Sequence, residues 1–265
     1  RHMDARHPLS LTLAIPDHPW RKAPGAAAVR IAMTVAEAGA KPGVLRRVVR
    51  EADLDSDTPT VELDRVEGKI WSDLTIGANL DAARPLRAND TLCSPGVKLH
   101  GNGFIVTPRQ ARALGLGTVP GLDAHIVDYR NGRDLTQRPR GVKVIDLYPL
   151  TAEEARHRFG AVYQHVLDHV RPVRDQNNRP AYRDNWWLFG EPRPDLRRAL
   201  DGLSRYIVTV ETARHRVFQF LDGSVRPDNM LMVIASDDPF VLGVLSSRVH
   251  LNWTGIVGGT LEDRP

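Results

Sequence analysis

The sequence predicts an α+β protein, in which a β-rich N-terminal segment is followed by a mixed α/β region with short strands and a few helices. Short apolar runs alternate with Gly, Pro and Asp turns from Leu9 to about Leu80, and helix-capping boxes begin at Thr107 and Thr151. Strands and helices do not alternate in the regular order of a doubly wound sheet. With 42% apolar residues among 265, the chain can build a sizeable core.

The N-terminal segment is expected to form a meandering antiparallel sheet. The run LSLTLAI alternates apolar and polar side chains from Leu9 and is expected to break at Pro16, and AVRIAMTV (residues 28–35) is a second extended run. The runs VLRRVV, TVELDRV and KIWSDLTI follow, each bounded by turn residues. The polar turns at residues 38–42 and 53–59 should be exposed.

Two helices are predicted from their capping boxes. Thr107 and Gln110 form a T-x-x-Q box in front of a short helix. A longer helix begins at Thr151, whose T-x-x-E box closes on Glu154, and Pro172 should end it. The apolar residues of this longer helix recur at helical spacing and are expected to face the core: Ala155, Phe159, Val162, Val166 and Val170.

The C-terminal part is predicted to return to strands and to close on a helix. The runs RYIVTVE, HRVFQFL and NMLMVIA have the apolar and β-branched composition of strands. Asp238 and Pro239 then mark the start of a helix that runs toward Trp253. Trp186 and Trp187 are expected on a strand with one side chain in the core, because successive strand residues face opposite ways.

Positive charge is concentrated in the middle of the chain. Residues 98–226 carry 21 Lys and Arg against 14 Asp and Glu, while the remainder carries 15 against 18. Of the 36 cationic side chains, 31 are arginine, which suits phosphate and base-edge contacts, although a GC-rich genome also enriches arginine. This distribution indicates nucleic acid as the leading ligand.

The cysteine content and the lack of a long apolar run predict a cytoplasmic protein that does not enter the membrane. Cys93 is the only cysteine, so an internal disulfide and a cysteine metal cluster are excluded. No apolar run approaches the roughly 18 residues of a membrane span, and no signal-peptide pattern occurs. Residues 1–3 are interpreted as a tag remnant.

Common catalytic motifs are missing from the sequence. It has no P-loop, no Gly-rich dinucleotide turn, no H-E-x-x-H and no G-x-S-x-G. We therefore predict no catalytic residue and no metal site in this chain. A metal-dependent nuclease stays open as an alternative that would use Asp195, Glu211 and Asp146 behind Lys143, although the chain has only five lysines.

The segment YRNGRDL is predicted to carry the base-reading residues. Its Asn-Gly pair is a strong turn pattern, so Arg130 and Arg133 should project from a loop tip with the Asn131 amide between them. Arginine pairs with guanine, and asparagine with adenine, through two hydrogen bonds each. Downstream, Arg138 and Arg140 lie on extended backbone that suits phosphate contacts.

Two further arginine-rich segments are predicted to hold phosphates. RPVRDQNNRPAYRDNWW (residues 171–187) combines four arginines with four amides and only two acids, so it is not expected in the core. Its candidates are Arg174, Arg179 and Arg183. The run VETARHRVF is interpreted as a strand on which Arg214 and Arg216 share one face, and such a stripe can follow a duplex backbone.

Several motifs, in order along the chain, resemble those of one family. They are DHPW with GAAAVRIAMTV, SDLTIGANLDAARPLRAN, GVKLHGNGFIVT, YRNGRDLTQRPRGVKVIDL, YRDNWWLFGEPRPDLRRAL, RYIVTVETARHRVF and NMLMVIASDDPFVLGVLSSRVH. The family is that of large adenine-specific DNA methyltransferases of the MmeI-like and TaqI-like type, from type II restriction-modification and related phage-defence systems. The first motif resembles the last strands of the methyltransferase domain, and the later ones resemble the target-recognition region.

The resemblance implies a fragment that recognises DNA and has no catalysis of its own. In the family, the S-adenosylmethionine-binding motif and the N/D-P-P-Y/F catalytic motif lie upstream, and neither occurs in this sequence. This region would bind double-stranded DNA, read the target sequence and present a flipped adenine for N6 methylation. The implied partners are double-stranded DNA and an upstream methyltransferase domain of the same parent chain, with no membrane. S-adenosylmethionine is implied for the parent enzyme and no cofactor for this chain.

The predicted organisation follows from the same resemblance. Residues 4–95 would form a β-rich segment from the end of the methyltransferase domain and its junction, and residues 96–265 a target-recognition domain truncated at its C-terminus. A protein-interaction module of a phage-defence complex stays open as an alternative function. The nucleic-acid-binding candidates are Lys98, Asn102, Arg130, Asn131, Arg133, Arg138, Arg140, Arg174, Arg179, Arg183, Arg214 and Arg216.

Overall fold

A computed structural model describes residues 3, 5–20, 29–54, 56, 58–79, 83–84, 86–213 and 215–257 of the chain. Contacts between residues divide the chain into two units, residues 1–85 and 86–265. The described residues form short strands in several sheets together with nine α-helices, which confirms the predicted α+β class. Within these residues, no helix is both long and apolar enough to span a membrane.

The described part of the first unit contains the strands β1 (Leu9–Pro19), β2 (Arg30–Ala38), β3 (Gly43–Leu45), β4 (Val48–Ala52), β5 (Thr60–Leu63) and β6 (Val66–Gly68). Four of them form a sheet in the order β2-β1-β3-β6, and β4 pairs with β5 in a separate ribbon. β1 runs antiparallel to β2 but parallel to β3. The prediction of a simple antiparallel meander is therefore wrong, because the chain crosses over to place β3 on the other edge of β1.

β1 does not break at Pro16, contrary to the sequence prediction. Proline lacks the N–H that a strand ladder uses, but the pairing of β1 with β2 shifts register between Ile15 and His18, so the strand continues past the proline. Upstream of this irregularity, Ala14 packs with Leu45 in a small apolar core of the first unit.

The other extended runs of this unit agree with the prediction only in part. AVRIAMTV is confirmed as part of β2, VLRRVV is divided between β3 and β4, and TVELDRV between β5 and β6. KIWSDLTI is not a strand, because Ile70 forms only isolated bridges with Leu11 and Ile76. The segment is irregular, but Ile70 is part of the small core of the first unit, and Leu74 and Ile76 pack against that core.

The second unit contains two four-stranded sheets. Its strands are β7 (Cys93–Pro95), β8 (Ile105–Val106), β9 (Ile126–Arg130), β10 (Lys143–Ile145), β11 (Arg205–Val210), β12 (Gln219–Asp222), β13 (Arg226–Pro227) and β14 (Leu231–Ile234). One sheet has the order β13-β9-β10-β8 and the other β12-β11-β14-β7. Only the pairing of β13 with β9 is parallel among the described strands of this unit.

The helices of the second unit are α1 (Pro108–Ala113), α2 (Gly132–Thr136), α3 (Ala152–Arg158), α4 (Gly160–His169), α5 (Arg171–Asp175), α6 (Pro180–Asp184), α7 (Pro194–Leu200), α8 (Pro239–Leu245) and α9 (Arg248–Val257). Both predicted capping boxes are confirmed. Thr107 accepts the backbone N–H of Gln110 at the start of α1, and Thr151 accepts that of Glu154 at the start of α3.

The long helix predicted from Thr151 is interrupted. Phe159 leaves the helical conformation, with φ −135° and ψ 55°, and separates α3 from α4. Pro172 does not end α4 but lies in the first turn of α5. Proline is tolerated there because the backbone N–H groups of a first turn make no hydrogen bond within the helix. The predicted apolar face is confirmed despite the interruption, since all of its residues are buried in the main core: Ala155, Phe159, Val162, Val166 and Val170.

The C-terminal predictions are largely confirmed. RYIVTVE forms β11, NMLMVIA forms β14, and Asp238 caps α8, which is followed by α9. The prediction for HRVFQFL is wrong in its first half, because β12 begins only at Gln219 and residues 215–218 have no regular structure. Trp186 and Trp187 lie in a turn rather than on a strand, and both pack against the main core.

Candidate nucleic-acid interface

Two parallel strands of the second unit end side by side. β9 pairs with β13 so that Tyr129 lies opposite Arg226, and Arg130 opposite Pro227. The carboxyl ends of parallel strands lie at the same edge of a sheet, so the residues after both strands emerge together. The backbone N–H of Asp228 donates to the carbonyl of Arg130 over 2.8 Å, which connects the two exits.

The Asp228 side chain is fixed at this edge. Its carboxylate accepts hydrogen bonds from the Tyr129 hydroxyl and from the backbone N–H of Met230, the latter over 3.0 Å. Burial, together with the hydrogen bond to Asp228, raises the pKa of Tyr129 well above its usual range, so the hydroxyl stays protonated and continues to donate. Among the described residues, Asp228 has no ion-pair partner.

An open cleft of about 790 Å³ lies at this edge. Three parts of the chain line it: α2 with its N-cap, the end of β11 with residues that follow it, and the residues after β13. The lining residues are Asn131, Gly132, Arg133, Leu135, Thr136, Val210, Thr212, Ala213, His215, Val217, Asp228 and Met230. The cleft therefore brings together the segments YRNGRDL and VETARHRVF, whose first residues, Tyr129 and Val210, are 81 positions apart in the sequence.

The predicted loop tip at Asn131 is wrong, because this residue begins a helix. Its side-chain oxygen accepts the backbone N–H groups of Arg133 and Asp134, over 3.1 and 3.2 Å. The Asp134 carboxylate in turn accepts the backbone N–H of Asn131 over 2.9 Å, which completes a capping box. Bidentate adenine recognition needs the amide oxygen as well as the amino group. Asn131 is therefore better placed to cap α2 than to read a base.

Arg133 and Arg138 are the exposed cations of this region with available guanidinium groups. Arg133 lies in the first turn of α2 on the cleft, and Arg138 follows the helix in an extended segment. Neither guanidinium has a hydrogen-bond or ion-pair partner within the described part of the chain. Arg130 is half-buried at the end of β9 and donates to the carbonyl of its neighbour Tyr129 over 3.2 Å. Their DNA contacts stay predictions.

Arg140 is committed to an internal ion pair. Its guanidinium donates to both oxygens of Asp134, with Nε–Oδ1 at 3.0 Å and Nη2–Oδ2 at 2.7 Å, and the Asp134 side chain is fully buried. Burial raises the pKa of Asp134, but the hydrogen bonds from the Arg140 side chain and from the backbones of Arg140 and Asn131 outweigh it and lower the pKa to about 2. A phosphate at Arg140 would have to compete with this carboxylate.

Arg174 is removed from the candidate contacts, because it is only 1% exposed. Its guanidinium donates to the carbonyls of Leu99, Leu188 and Tyr182, over 2.7, 3.0 and 3.3 Å. It also lies over the ring of Phe104. The prediction that the segment 171–187 avoids the core fails at this residue, since one arginine of the segment ties three separate stretches of backbone together.

The other two candidate arginines of this segment, Arg179 and Arg183, support local structure from the surface. The Arg179 guanidinium donates to the Tyr182 hydroxyl over 3.1 Å and lies over the same ring. Arg183 donates to the carbonyl of Asn177 over 2.6 Å and is half-buried. Among the described residues that line the cleft there is none from this segment. Phosphate contacts by Arg179 and Arg183 stay predictions.

Lys98 and Asn102 flank a tight connection ahead of α1. The Lys98 ammonium lies 3.8 Å from the Glu191 carboxylate, and the backbones of the two residues are also bridged. Asn102 is exposed and begins a short 3₁₀ helix, Asn102–Phe104. Both side chains reach solvent, but neither lines the cleft.

The predicted two-cation strand face is wrong. Arg216 lies in an irregular segment, where its guanidinium donates weakly to the carbonyls of Val210 and Glu211 over 3.3 and 3.4 Å. Arg214, the other member of the predicted stripe, lies outside the described residues. The described residues between β11 and β12, 211–213 and 215–218, have no regular structure, and His215 lines the cleft.

A buried charge network that the sequence analysis missed surrounds Asp146. This carboxylate is 2% exposed and lies 2.8 Å from Arg197 Nη1 and 2.8 Å from Arg226 Nε. The network joins the end of β10 to α7 and β13, and so fixes the sheet that carries the cleft. An acid directly after an apolar strand indicates a buried carboxylate in need of cationic partners, and VKVIDLY contains that pattern.

The acids considered for a nuclease occupy separate places. Asp146 is surrounded by arginines, and Asp195 pairs with Arg198 on α7. Glu211 is exposed after β11. In the part of the chain that the structure describes, no three His, Cys, Asp or Glu side chains are grouped so that they could hold a metal ion.

Comparison with known proteins gives a structural relative only. No protein-family model matches the chain, and no curated protein matches it. A solved structure of the Type IIL restriction-modification enzyme MmeI in complex with DNA is similar in fold, with a TM-score of 0.62 and 16% sequence identity. The similarity covers 97% of this chain and 33% of that chain. The chain thus spans a third of the length of its relative and shares its fold in that region.

Proposed function

We propose that this chain is a sequence-specific double-stranded DNA recognition module of an adenine-N6 DNA methyltransferase in a restriction-modification system. An upstream domain of the same parent chain would bind S-adenosylmethionine and transfer the methyl group. This chain would hold the duplex and position the target adenine for that domain. The observation that carries the proposal is the fold shared with a DNA-bound restriction-modification enzyme over 97% of this chain.

The distribution of charge supports the same function. Residues 98–226 carry an excess of seven positive charges, 21 against 14. Some of these cations are buried or internally paired, as Arg174 and Arg140 are. Exposed guanidinium groups remain at Arg133, which lines a cleft formed where two parallel strands end, and at Arg138, in the segment after α2. Such groups bind phosphates by charge. This binding releases counterions from the DNA, which favours binding to the duplex.

Exposure and hydrogen bonding support a division of the candidate residues into proposed DNA contacts and proposed structural residues. Arg133 is favoured for base contact and Arg138 for phosphate contact, because both are exposed and available. Asn131, Arg140 and Arg174 are favoured as structural residues. The remaining candidates for DNA contact are Lys98, Asn102, Arg130, Arg179, Arg183 and Arg216, together with Arg214, which lies outside the described residues.

Salt-dependent binding tests this function. The affinity of the chain for a mixed-sequence duplex should fall steeply between roughly 50 and 200 mM salt, as expected when several phosphates are neutralised. Arg138→Ala should weaken binding to all duplexes alike and reduce the salt slope by about 1. Arg156→Ala, which removes an exposed arginine of α3 that does not line the cleft, is the matched control and should leave the slope unchanged.

Two results would favour the alternatives. A folded chain that binds no duplex at about 50 mM salt would contradict DNA recognition and favour a protein-interaction module. Cleavage of plasmid DNA by the purified chain in the presence of magnesium, and its loss with a chelator, would favour a nuclease. Binding without cleavage supports the recognition function.

A further inference from the structure

We infer that Arg133 reads a guanine in the bound duplex and that a network of Asn131, Asp134 and Arg140 positions it. This inference rests on the DNA-recognition function proposed above and names a specificity-determining residue within it. It also changes the role of two residues that the sequence suggested as direct contacts. Asn131 and Arg140 act on specificity through Arg133, without touching the DNA.

The donors of Arg133 are available for a bidentate contact. Arg133 is exposed in the first turn of α2, and its guanidinium has no acceptor among the described residues. Two N–H groups of a guanidinium match the O6 and N7 acceptors of guanine in the major groove, which is the commonest specific contact between arginine and DNA. Two other described arginines, Arg130 and Arg216, donate to protein carbonyls instead, and Arg140 donates to the Asp134 carboxylate.

The charge of the cleft favours a base over a phosphate at Arg133. Asp228 lines the same cleft, and its carboxylate is held there by the Tyr129 hydroxyl and the Met230 backbone. A phosphate entering the cleft would meet this negative charge, whereas the edge of a base pair is neutral and offers both acceptors and donors. No ion pair joins Arg133 to Asp228, so the guanidinium is not neutralised by the carboxylate that lines the cleft with it.

The backbone that carries Arg133 is fixed by a buried carboxylate. Asp134 accepts the backbone N–H groups of Asn131 and Arg140, each over 2.9 Å, as well as the Arg140 guanidinium. Asn131 in turn caps the N–H groups of Arg133 and Asp134. One carboxylate thus closes the first turn of α2 and holds the returning chain at Arg140 against it.

Packing fixes the same turn from the other side. A side chain at Gly132 would place its Cβ 3.0 Å from Val210 Cγ1, so the glycine lets α2 lie directly against the end of β11. A side chain that makes two hydrogen bonds to one base needs a support held to within about 0.5 Å. The capping network and this contact supply such a support for Arg133.

The first test measures discrimination at single base pairs. The whole chain is used to select its preferred duplex from a random pool, and binding is then measured to that duplex and to each of its single-pair variants. Arg133→Ala should reduce discrimination at one G·C pair by roughly 10- to 100-fold and leave the other positions unchanged. The discrimination shown by Arg133→Lys should lie between that of the wild-type chain and that of Arg133→Ala, because lysine keeps the charge but lacks the paired donors. Arg156→Ala should change nothing.

The second test separates positioning from stability. Arg140→Gln and Asp134→Asn should reduce discrimination at the same G·C pair as Arg133→Ala, and should have no further effect in the Arg133→Ala background. Arg140→Gln is the safer variant, because it leaves Asp134 with its backbone hydrogen bonds. Circular dichroism of each variant checks that the fold is retained.

The outcomes are distinct. If Arg133→Ala weakens binding to every duplex equally, Arg133 is a phosphate contact and the inference is overturned. If Arg140→Gln reduces discrimination at several base pairs, the network supports the fold and does not position Arg133. The same conclusion follows if Arg140→Gln reduces discrimination by the same factor in the Arg133→Ala background as in the wild-type chain. If the wild-type chain selects no sequence and binds no duplex, the proposed function itself fails. If it selects a sequence and Arg133→Ala preserves every preference, only this inference fails.

Discussion

At the residue scale, arginines of one chain serve opposite purposes. Arg133 and Arg138 are exposed with available donors, whereas Arg174 is buried and donates to three backbone carbonyls. Burial lowers the pKa of Arg174 from its usual value, which reflects the desolvation of its charge. Its hydrogen bonds and the aromatic rings of Phe104 and Tyr182 offset that penalty. The charge of a residue therefore does not identify its role here.

Arg174→Met should destabilise the fold. The substitution leaves buried carbonyls without the donors of Arg174 and should lower the free energy of unfolding by about 2–4 kcal/mol. Arg179→Met, in the same segment but exposed, should change it by less than about 1 kcal/mol. Urea denaturation of both variants measures the difference. Equal effects would contradict the structural role assigned to Arg174.

Asp134 should give the fold a characteristic loss of stability in acid. Its pKa is lowered from 3.8 to about 2 in the folded state, so its contribution is fully present above the unfolded pKa and is lost as the pH falls from about 4 toward 2. A shift of this size corresponds to about 2 kcal/mol. Asp134→Asn should flatten this part of the curve of unfolding free energy against pH, as measured by urea denaturation. An unchanged curve would show that the carboxylate does not titrate in this way.

The sequence could predict that the middle of the chain is rich in cations, but not which of them are available. Burial of Arg174 depends on carbonyls contributed by Leu99, Tyr182 and Leu188, and no local pattern connects these residues. Pairing of Arg140 with Asp134 depends on a chain reversal after α2. Asp228 was missed as a residue of the site because its place follows from strand pairing across the second unit.

At the element scale, local patterns were predicted well and long-range pairings were not. The boxes at Thr107 and Thr151 are confirmed because a capping box is completed within four residues. Asn131-Gly132 was predicted as a turn because that pair is frequent in turns, but Asp134 at the third helical position closes a capping box instead. The parallel pairing of β9 with β13, which creates the cleft, joins residues almost 100 apart and leaves no local trace in the sequence.

Gly96 should be essential for the position of β13, the strand that directly precedes Asp228. A Cβ at Gly96 would lie 2.3 Å from the carbonyl oxygen of Asp228 and 2.4 Å from that of Pro227. Gly96→Ala should therefore displace β13 and lower the free energy of unfolding by about 1–3 kcal/mol. Gly160→Ala is the matched control, because a Cβ at the start of α4 meets no atom within 4 Å, and alanine should be neutral or stabilising by up to about 1 kcal/mol. Urea denaturation that ranks the two variants in the opposite order would contradict the packing described for β13.

At the scale of the whole molecule, the α+β class was predictable and the topology was not. The class follows from the density of short apolar runs and from the positions of the capped helices. The parallel pairing of β1 with β3 and the division of the second unit into two sheets arise from contacts between distant segments. The candidate site shows the same limit. The motifs and the shared fold support the proposed function, but the cleft arises from contacts between distant segments and could be located only in the structure.

The central claim, sequence-specific recognition of duplex DNA, is tested most directly by selection. The chain is incubated with a pool of randomised duplexes at several salt concentrations between roughly 50 and 200 mM, and the retained molecules are sequenced. The account predicts enrichment of one short motif that contains at least one G·C pair sensitive to Arg133, with retention that falls steeply as salt rises. Retention of no duplex, or retention without any enriched sequence at every salt concentration, would contradict it.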